Sequence, residues 1–169
     1  GSGTCTILYD QASNILYRYI SSSKSYKRVS NVIDKLNGSR YYFYDANGNR
    51  RTSSGWKKVN GSTAYYVCDG GYVTSRYTDQ KGTKKVYDFD YSKNTWVQKK
   101  NMWKTVYRSR YYFGSKGVAT MSYNNSTKKA YKFTGRKWKP AKKLIMKIGN
   151  ANYYFNSAAK RVVKAGKYK

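Results

Sequence analysis

The sequence predicts an all-β chain, a solenoid of stacked β-hairpin repeats. Three observations carry that reading. An aromatic hairpin string recurs in LNGSRYYFYDANGNR (36–50), VNGSTAYYVCDGG (59–71), VYRSRYYFGSKG (106–117) and IGNANYYFNSAAKR (148–161). The tyrosine pairs begin at Tyr41, Tyr65, Tyr111 and Tyr153, intervals of 24, 46 and 42 residues, which suit one hairpin unit and then roughly doubled ones. Short turn-forming pairs punctuate the strings, and no long stretch keeps a helical period.

Taken in chain order, ILYDQASNILYRY (7–19) opens the array as a hairpin around Ala12-Ser13-Asn14. NILYRYISSS (14–23) and the tail AAKRVVKAG (158–166) are the two places that tolerate a helical turn. Asn37-Gly38, Asn47-Gly48, Asn60-Gly61, Gly70-Gly71 and Lys116-Gly117 supply residues that accept positive φ. A second hairpin type fills the longer gaps: VYDFDYSKNTWVQ (86–98) turning at Ser92-Lys93-Asn94, and AYKFTGRKWKPA (130–141) turning at Thr134-Gly135-Arg136. A lone hairpin is marginal in water, so successive ones must bury their aromatic faces on each other. Residues 4–169 are therefore expected to form one repeat domain, with Gly1-Ser2-Gly3 resembling the remnant of an expression tag and no signal peptide read at the start.

Composition fits thin aromatic cores. Leu, Ile, Val and Phe make up only 26 of 169 residues, whereas there are 21 Tyr and 4 Trp. Low aliphatic content with high charge normally means disorder, but tyrosine is a good strand former with an apolar ring. Two cysteines, Cys5 and Cys68, are too few for a disulfide framework; one bridge or two free thiols are equally compatible with the sequence. No apolar run reaches a membrane span, so no membrane insertion is expected.

The charge is lopsided, with 35 Lys and Arg against 7 aspartates, no Glu and no His, for a net +28. Solubility needs a net charge of roughly 2–8 on a small domain; the surplus suits a polyanion. Doublets such as Lys57-Lys58, Arg50-Arg51, Lys84-Lys85 and Lys128-Lys129 would charge both surfaces of a ribbon. Without His or Glu, the commonest general bases and metal ligands are missing, and the aspartates lie mostly in or beside turns. Asp88 and Asp90 read as structural counter-charges. No catalytic role, metal or cofactor is expected.

Strand alternation places Phe43 in a core, with Tyr42, Tyr66, Tyr112 and Tyr154 facing the grooves between hairpins beside Trp56 and Trp103. Ring faces bordered by polar groups suit sugars. These six aromatics are the candidate groove residues. Lys57, Lys58, Arg40, Arg110, Lys128 and Lys129 are the candidate anion-binding residues. Any one ring could equally serve as core in a chain so poor in aliphatics.

GWKKVNGSTAYYV (55–67) and LNGSRYYFYDANGNR resemble the cell-wall-binding repeat superfamily, with its Gly-Trp, Asn-Gly and Tyr-Tyr-Phe order. That group includes choline-binding, glucan-binding and clostridial toxin repeats. The resemblance is clear over residues 32–76 and 102–123 and fainter over 144–165. It implies a secreted or surface-held bacterial module binding a cell-wall polymer or polysaccharide. One position of the choline cage reads Ile33, Trp56, Trp103 and Ile145, and the other Arg40, Ala64, Arg110 and Asn152. No unit keeps both tryptophans, so the aromatic box a quaternary ammonium needs is incomplete. Anionic wall polymers such as teichoic or lipoteichoic acid, or neutral glycans, fit better. A nucleic-acid module using the basic, tyrosine-rich surface is the alternative, as is a structural spacer or adhesin stalk. The oligomeric state is left open.

Overall fold

The structure, a computed structural model, describes residues 5–36, 38, 40–148 and 150–162. Among them the chain is all-β, seventeen strands in antiparallel sheets that follow chain order. The first sheet holds β1 (Ile7–Asp10), β2 (Ile15–Ile20) and β3 (Ser25–Arg28), and the next is the hairpin of β4 (Val32–Leu36) and β5 (Arg40–Tyr44). A five-stranded sheet holds β6 (Gly55–Lys58), β7 (Thr63–Val67), β8 (Val73–Gln80), β9 (Thr83–Asp90) and β10 (Thr95–Gln98). A second is built from β11 (Met102–Val106), β12 (Ser109–Phe113), β13 (Ala119–Asn124), β14 (Ala130–Phe133) and β15 (Trp138–Pro140). The hairpin of β16 (Leu144–Ile148) and β17 (Ala151–Phe155) ends the series.

The chain divides into two compact units, Gly1–Arg76 with Asp88–Trp96, and Tyr77–Tyr87 with Val97–Lys169. The expected short hairpins all form, including those turning at residues 12–14, 92–94 and 134–136. The stretch tolerant of a helical turn becomes β2 followed by one 3₁₀ turn at Ser21–Ser23; in the tail, residues 163–166 lie outside the described part, as do Gly1-Ser2-Gly3 and Asn37. Both cysteines are free thiols, Cys5 exposed and Cys68 half-buried.

Four equivalent turns set the repeat. They begin at Asp45, Cys68, Gly114 and Asn156, each accepting a backbone hydrogen bond from the residue three further on, Gly48, Gly71, Gly117 and Ala159. Those four residues all have positive φ, from 57° to 77°. The residue that follows each one bridges back to an earlier strand region: Ile15 with Asn49, Tyr42 with Tyr72, Lys85 with Val118, Lys129 with Lys160. The turn is thus both a chain reversal and a staple between consecutive sheets. At Gly48 an added Cβ would meet Val29 O at 3.1 Å and Ile15 Cγ2 at 3.3 Å, on a backbone with φ of 77°. Gly48→Ala should therefore lose about 1–2 kcal/mol to the left-handed backbone alone. Gly61→Ala, with open space and no positive φ, should stay within about 0.5 kcal/mol. Urea unfolding of the two variants checks the contrast.

Cores are small and aromatic, as the composition requires. The hairpin of β4 and β5 is covered on both faces. Tyr44 and Tyr42 join Leu16, Val29 and Tyr9, while Phe43 and Tyr41 join Val67, Val73, Tyr65 and Trp96. In the other unit Phe155 is fully buried with Tyr123, Ala130, Ala141, Met146 and Ile148. The third residue of every aromatic triplet, Phe43, Val67, Phe113 and Phe155, is buried, as alternation predicts.

Burial pushes the Tyr44 and Tyr77 phenols well above the ordinary tyrosine range, helped by nearby Tyr9 and Tyr111 respectively. The folded state keeps protons that the unfolded chain surrenders near pH 10. Their contribution to stability is thus intact below about pH 10 and lost above it. In a tyrosinate absorbance titration, these two should ionise only with loss of the β circular-dichroism signal. Full ionisation of all 21 tyrosines with the β signal intact would contradict this burial.

Candidate functional site: aromatic and cationic clefts

Antiparallel register builds the aromatic pairs. Trp56 on β6 lies opposite Tyr66 on β7, with ring centroids 5.5 Å apart and planes at 68°. Trp103 on β11 lies opposite Tyr112 on β12 at the same 5.5 Å, tilted by 53°. All four rings are half-buried. The ring pairing, edge-on for Trp56 and tilted for Trp103, holds each indole in place beyond its area burial.

The two tryptophans then diverge. Trp56 lines a cleft of about 380 Å³ with Lys57, Lys58, Arg51, Asp45, Asn31, Asn47, Ala46 and Phe43. Lys57 Nζ donates to Ser53 Oγ at 3.0 Å, and Arg51 pairs with Asp45 at 2.9 Å. Trp103 instead packs against the core cluster of Phe155 and Met146. Trp103→Ala should consequently show most of its effect in stability, measured by chemical unfolding.

The other expected groove residues scatter. Tyr42 packs into the first core and carries the Arg50 guanidinium over its ring at 4.0 Å, so that face is covered. Tyr154 lies opposite Ile145 rather than a tryptophan, and Ile145 is 60% exposed. Arg110 sits across from Tyr123 in the register of β12 and β13. Lys128 and Lys129 are exposed in the turn before β14, Lys128 with φ of 56°, and Lys129 bridges to Lys160. Those two lysines carry charge without an aromatic partner among the groove residues expected above.

A larger cleft of about 550 Å³ forms where the sequence signalled only Arg40. Lys35, Gly38, Tyr72, Tyr91 and Asn94 complete it. Arg40 lies over the Tyr72 ring at 4.3 Å, and Tyr72 meets Tyr91 edge-on at 6.0 Å. Tyr91 Oη donates to Val73 O at 2.5 Å, which fixes its ring. Lys35 Nζ donates to Asn94 Oδ1 at 2.7 Å and stands 5.2 Å from the Tyr41 ring. The available signal was the Tyr-Val after Gly70-Gly71 and the Asn94 turn, which only long-range folding brings together.

Six of the seven aspartates are occupied structurally, Asp45 by Arg51 as above. Asp10 accepts from the Ser13 hydroxyl and the Ala12 amide, and Asp90 from Ser92 and the Lys93 amide. The serine hydroxyls hold both carboxyls below the usual range. Asp34 pairs with Arg18, Asp79 with Lys84, and Asp88 accepts from Ser75 Oγ at 2.6 Å. Among the described residues no group of three or more His, Cys, Asp or Glu is placed to hold a metal. Nor is any helix long and apolar enough to cross a membrane. Seven carboxylates cannot neutralise 35 cations, so the net +28 persists whatever pairs form.

The geometry defines a hairpin-repeat module with clefts of aromatic rings and cations. Solved structures similar to it come from bacterial and phage proteins. Choline-binding protein F from Streptococcus pneumoniae, crystallised with a peptidoglycan analogue, is 19% identical over 97% of this chain and 54% of that one, with a TM-score of 0.28. The pneumococcal cell-wall endolysin of phage Cp-1, complexed with choline, is 18% identical over 97% of this chain and 38% of its own, TM-score 0.29. Truncated alternansucrase from Leuconostoc mesenteroides is 16% identical over 85% of this chain and 11% of its own, TM-score 0.29. The chain thus spans about half the length of choline-binding protein F and less of the others. No family model matches the sequence, and no curated protein matches it. Likeness this slight carries no ligand across.

Proposed function

We propose that the chain is a non-catalytic binding module that holds a secreted or surface protein on the bacterial cell wall through anionic polymers of the teichoic acid type. The observation that carries it is the cleft that the Trp56 ring shares with Lys57 and Lys58, Arg51 being paired there with Asp45, in a chain whose net charge is +28. A sugar or polyol presents a C–H face to an indole, while the phosphodiesters of its backbone meet lysines that act as mobile point charges. The Gly-Trp, Asn-Gly and Tyr-Tyr-Phe order of residues 55–67 supports the same reading, and the incomplete cage argues against choline.

Wall binding of point variants tests it. Trp56→Ala should weaken retention by about 1–3 kcal/mol, the value of one stacked ring, whereas Lys58→Ala alone should cost at most about 1 kcal/mol. Circular dichroism must first show each variant folded. Normal retention of a folded Trp56→Ala protein would remove the ring from the site. Tighter binding of a random single-stranded oligonucleotide than of teichoic acid, at equal salt, would favour the nucleic-acid reading instead.

A further inference from the structure

The cleft of Lys35, Arg40, Tyr72, Tyr91 and Asn94 differs from the rest of the basic surface in how its cations are held. Arg40 is oriented by a ring and Lys35 by an amide oxygen, both neutral partners. The aspartates in described ion pairs, Asp34, Asp45, Asp79 and Asp90, engage Arg18, Arg51, Lys84 and Lys93. Among the described residues neither cation of this cleft is in an ion pair, and each keeps N–H donors to spare. The guanidinium is pre-organised, since stacking on Tyr72 fixes its plane and leaves its fork to meet two oxygens. Tyr72 and Tyr91 set an apolar wall beside it, and about 550 Å³ falls within the size of ordinary small-ligand sites.

We propose that this cleft binds one anionic sugar or polyol unit, its phosphate or carboxylate on Arg40 and Lys35 and its C–H face on the part of the tyrosine wall that Arg40 leaves open. The inference rests on the wall-polymer reading and narrows it, naming a repeat-unit site that recognises negative charge.

Titration of the whole chain at low salt, followed by the NMR signals of Tyr72 and Tyr91, tests the site with defined probes. Glucose 6-phosphate and glucuronate distinguish phosphate from carboxylate as the anion; glucose and choline are the uncharged and cationic controls. At least one anionic sugar should shift both tyrosines saturably, and neither control should. Arg40→Gln and Lys35→Gln should each weaken that binding about ten- to a hundred-fold, the loss expected of charged hydrogen bonds. Arg136→Gln, which removes the same charge from an exposed turn elsewhere, should leave it unchanged. Equal weakening by Arg136→Gln, or choline binding as well as the sugars do, would overturn the site. So would thymidine monophosphate binding more tightly than glucose 6-phosphate. If the sugars bind here but the protein is not retained on walls, the wall reading falls and the cleft stands. If walls retain the protein while no anionic sugar shifts these tyrosines, the cleft alone falls.

Discussion

Phe155→Ala should destabilise the protein by about 3–5 kcal/mol, the largest expected effect of any single substitution considered. Phe155 is fully buried, meets the Tyr123 ring edge-on at 5.9 Å, and sits among Met146, Ile148, Ala130 and Ala141. A marginally stable chain has only about 5–15 kcal/mol to lose. The truncated ring would therefore remove roughly a fifth or more of the stability of a typical domain. Denaturant unfolding followed by tryptophan fluorescence should report the loss; a cost under about 1 kcal/mol would mean that the hairpin of β16 and β17 does not rest on this core.

Binding to a phosphodiester polymer should collapse with salt. If six to ten phosphates are engaged, affinity should fall roughly a thousand- to a hundred-thousand-fold between about 50 and 200 mM salt, by analogy with counterion release from nucleic acid. The expectation follows from the net +28 and from the placement of cations such as Lys58, Lys128 and Lys129 on the exposed surface. The ring contacts of Trp56 and Tyr72 depend little on ionic strength, so a residual, salt-insensitive component should remain and disappear in the Trp56→Ala, Tyr72→Leu double variant. Retention that ignored salt throughout would assign binding to neutral glycan recognition.

The turns made most of the fold legible. Gly48, Gly71 and Gly117 declare the left-handed positions in sequence, while Ala159 fills the same role at φ of 57° and gives no such signal. The sheets of five strands were hidden. The β8–β9 hairpin turns at Lys81-Gly82, with φ of 50° and 84°, a pair less conspicuous than Asn-Gly. Alternation alone placed Phe43 in a core and Trp56 beside Tyr66. It could not separate Trp56 from Trp103, because the burial of Trp103 is decided by β16 and β17, some forty residues away in sequence. The doublet rule fails for the same reason at Arg50-Arg51. Arg50 turns onto Tyr42, and Arg51 onto Asp45, so both side chains are held against the fold and only Arg51 meets a counter-charge. Cleft residues Lys35, Tyr72 and Asn94 come from separate strings that only the stapled turns bring together.

Retention on purified Gram-positive walls, before and after extraction of their phosphodiester polymers, tests the central claim most directly. Untreated walls should hold the protein at low salt, extracted walls should release most of it, and the extracted polymer added back in solution should compete. Equal retention on both kinds of wall, with no competition from the polymer, would contradict the account.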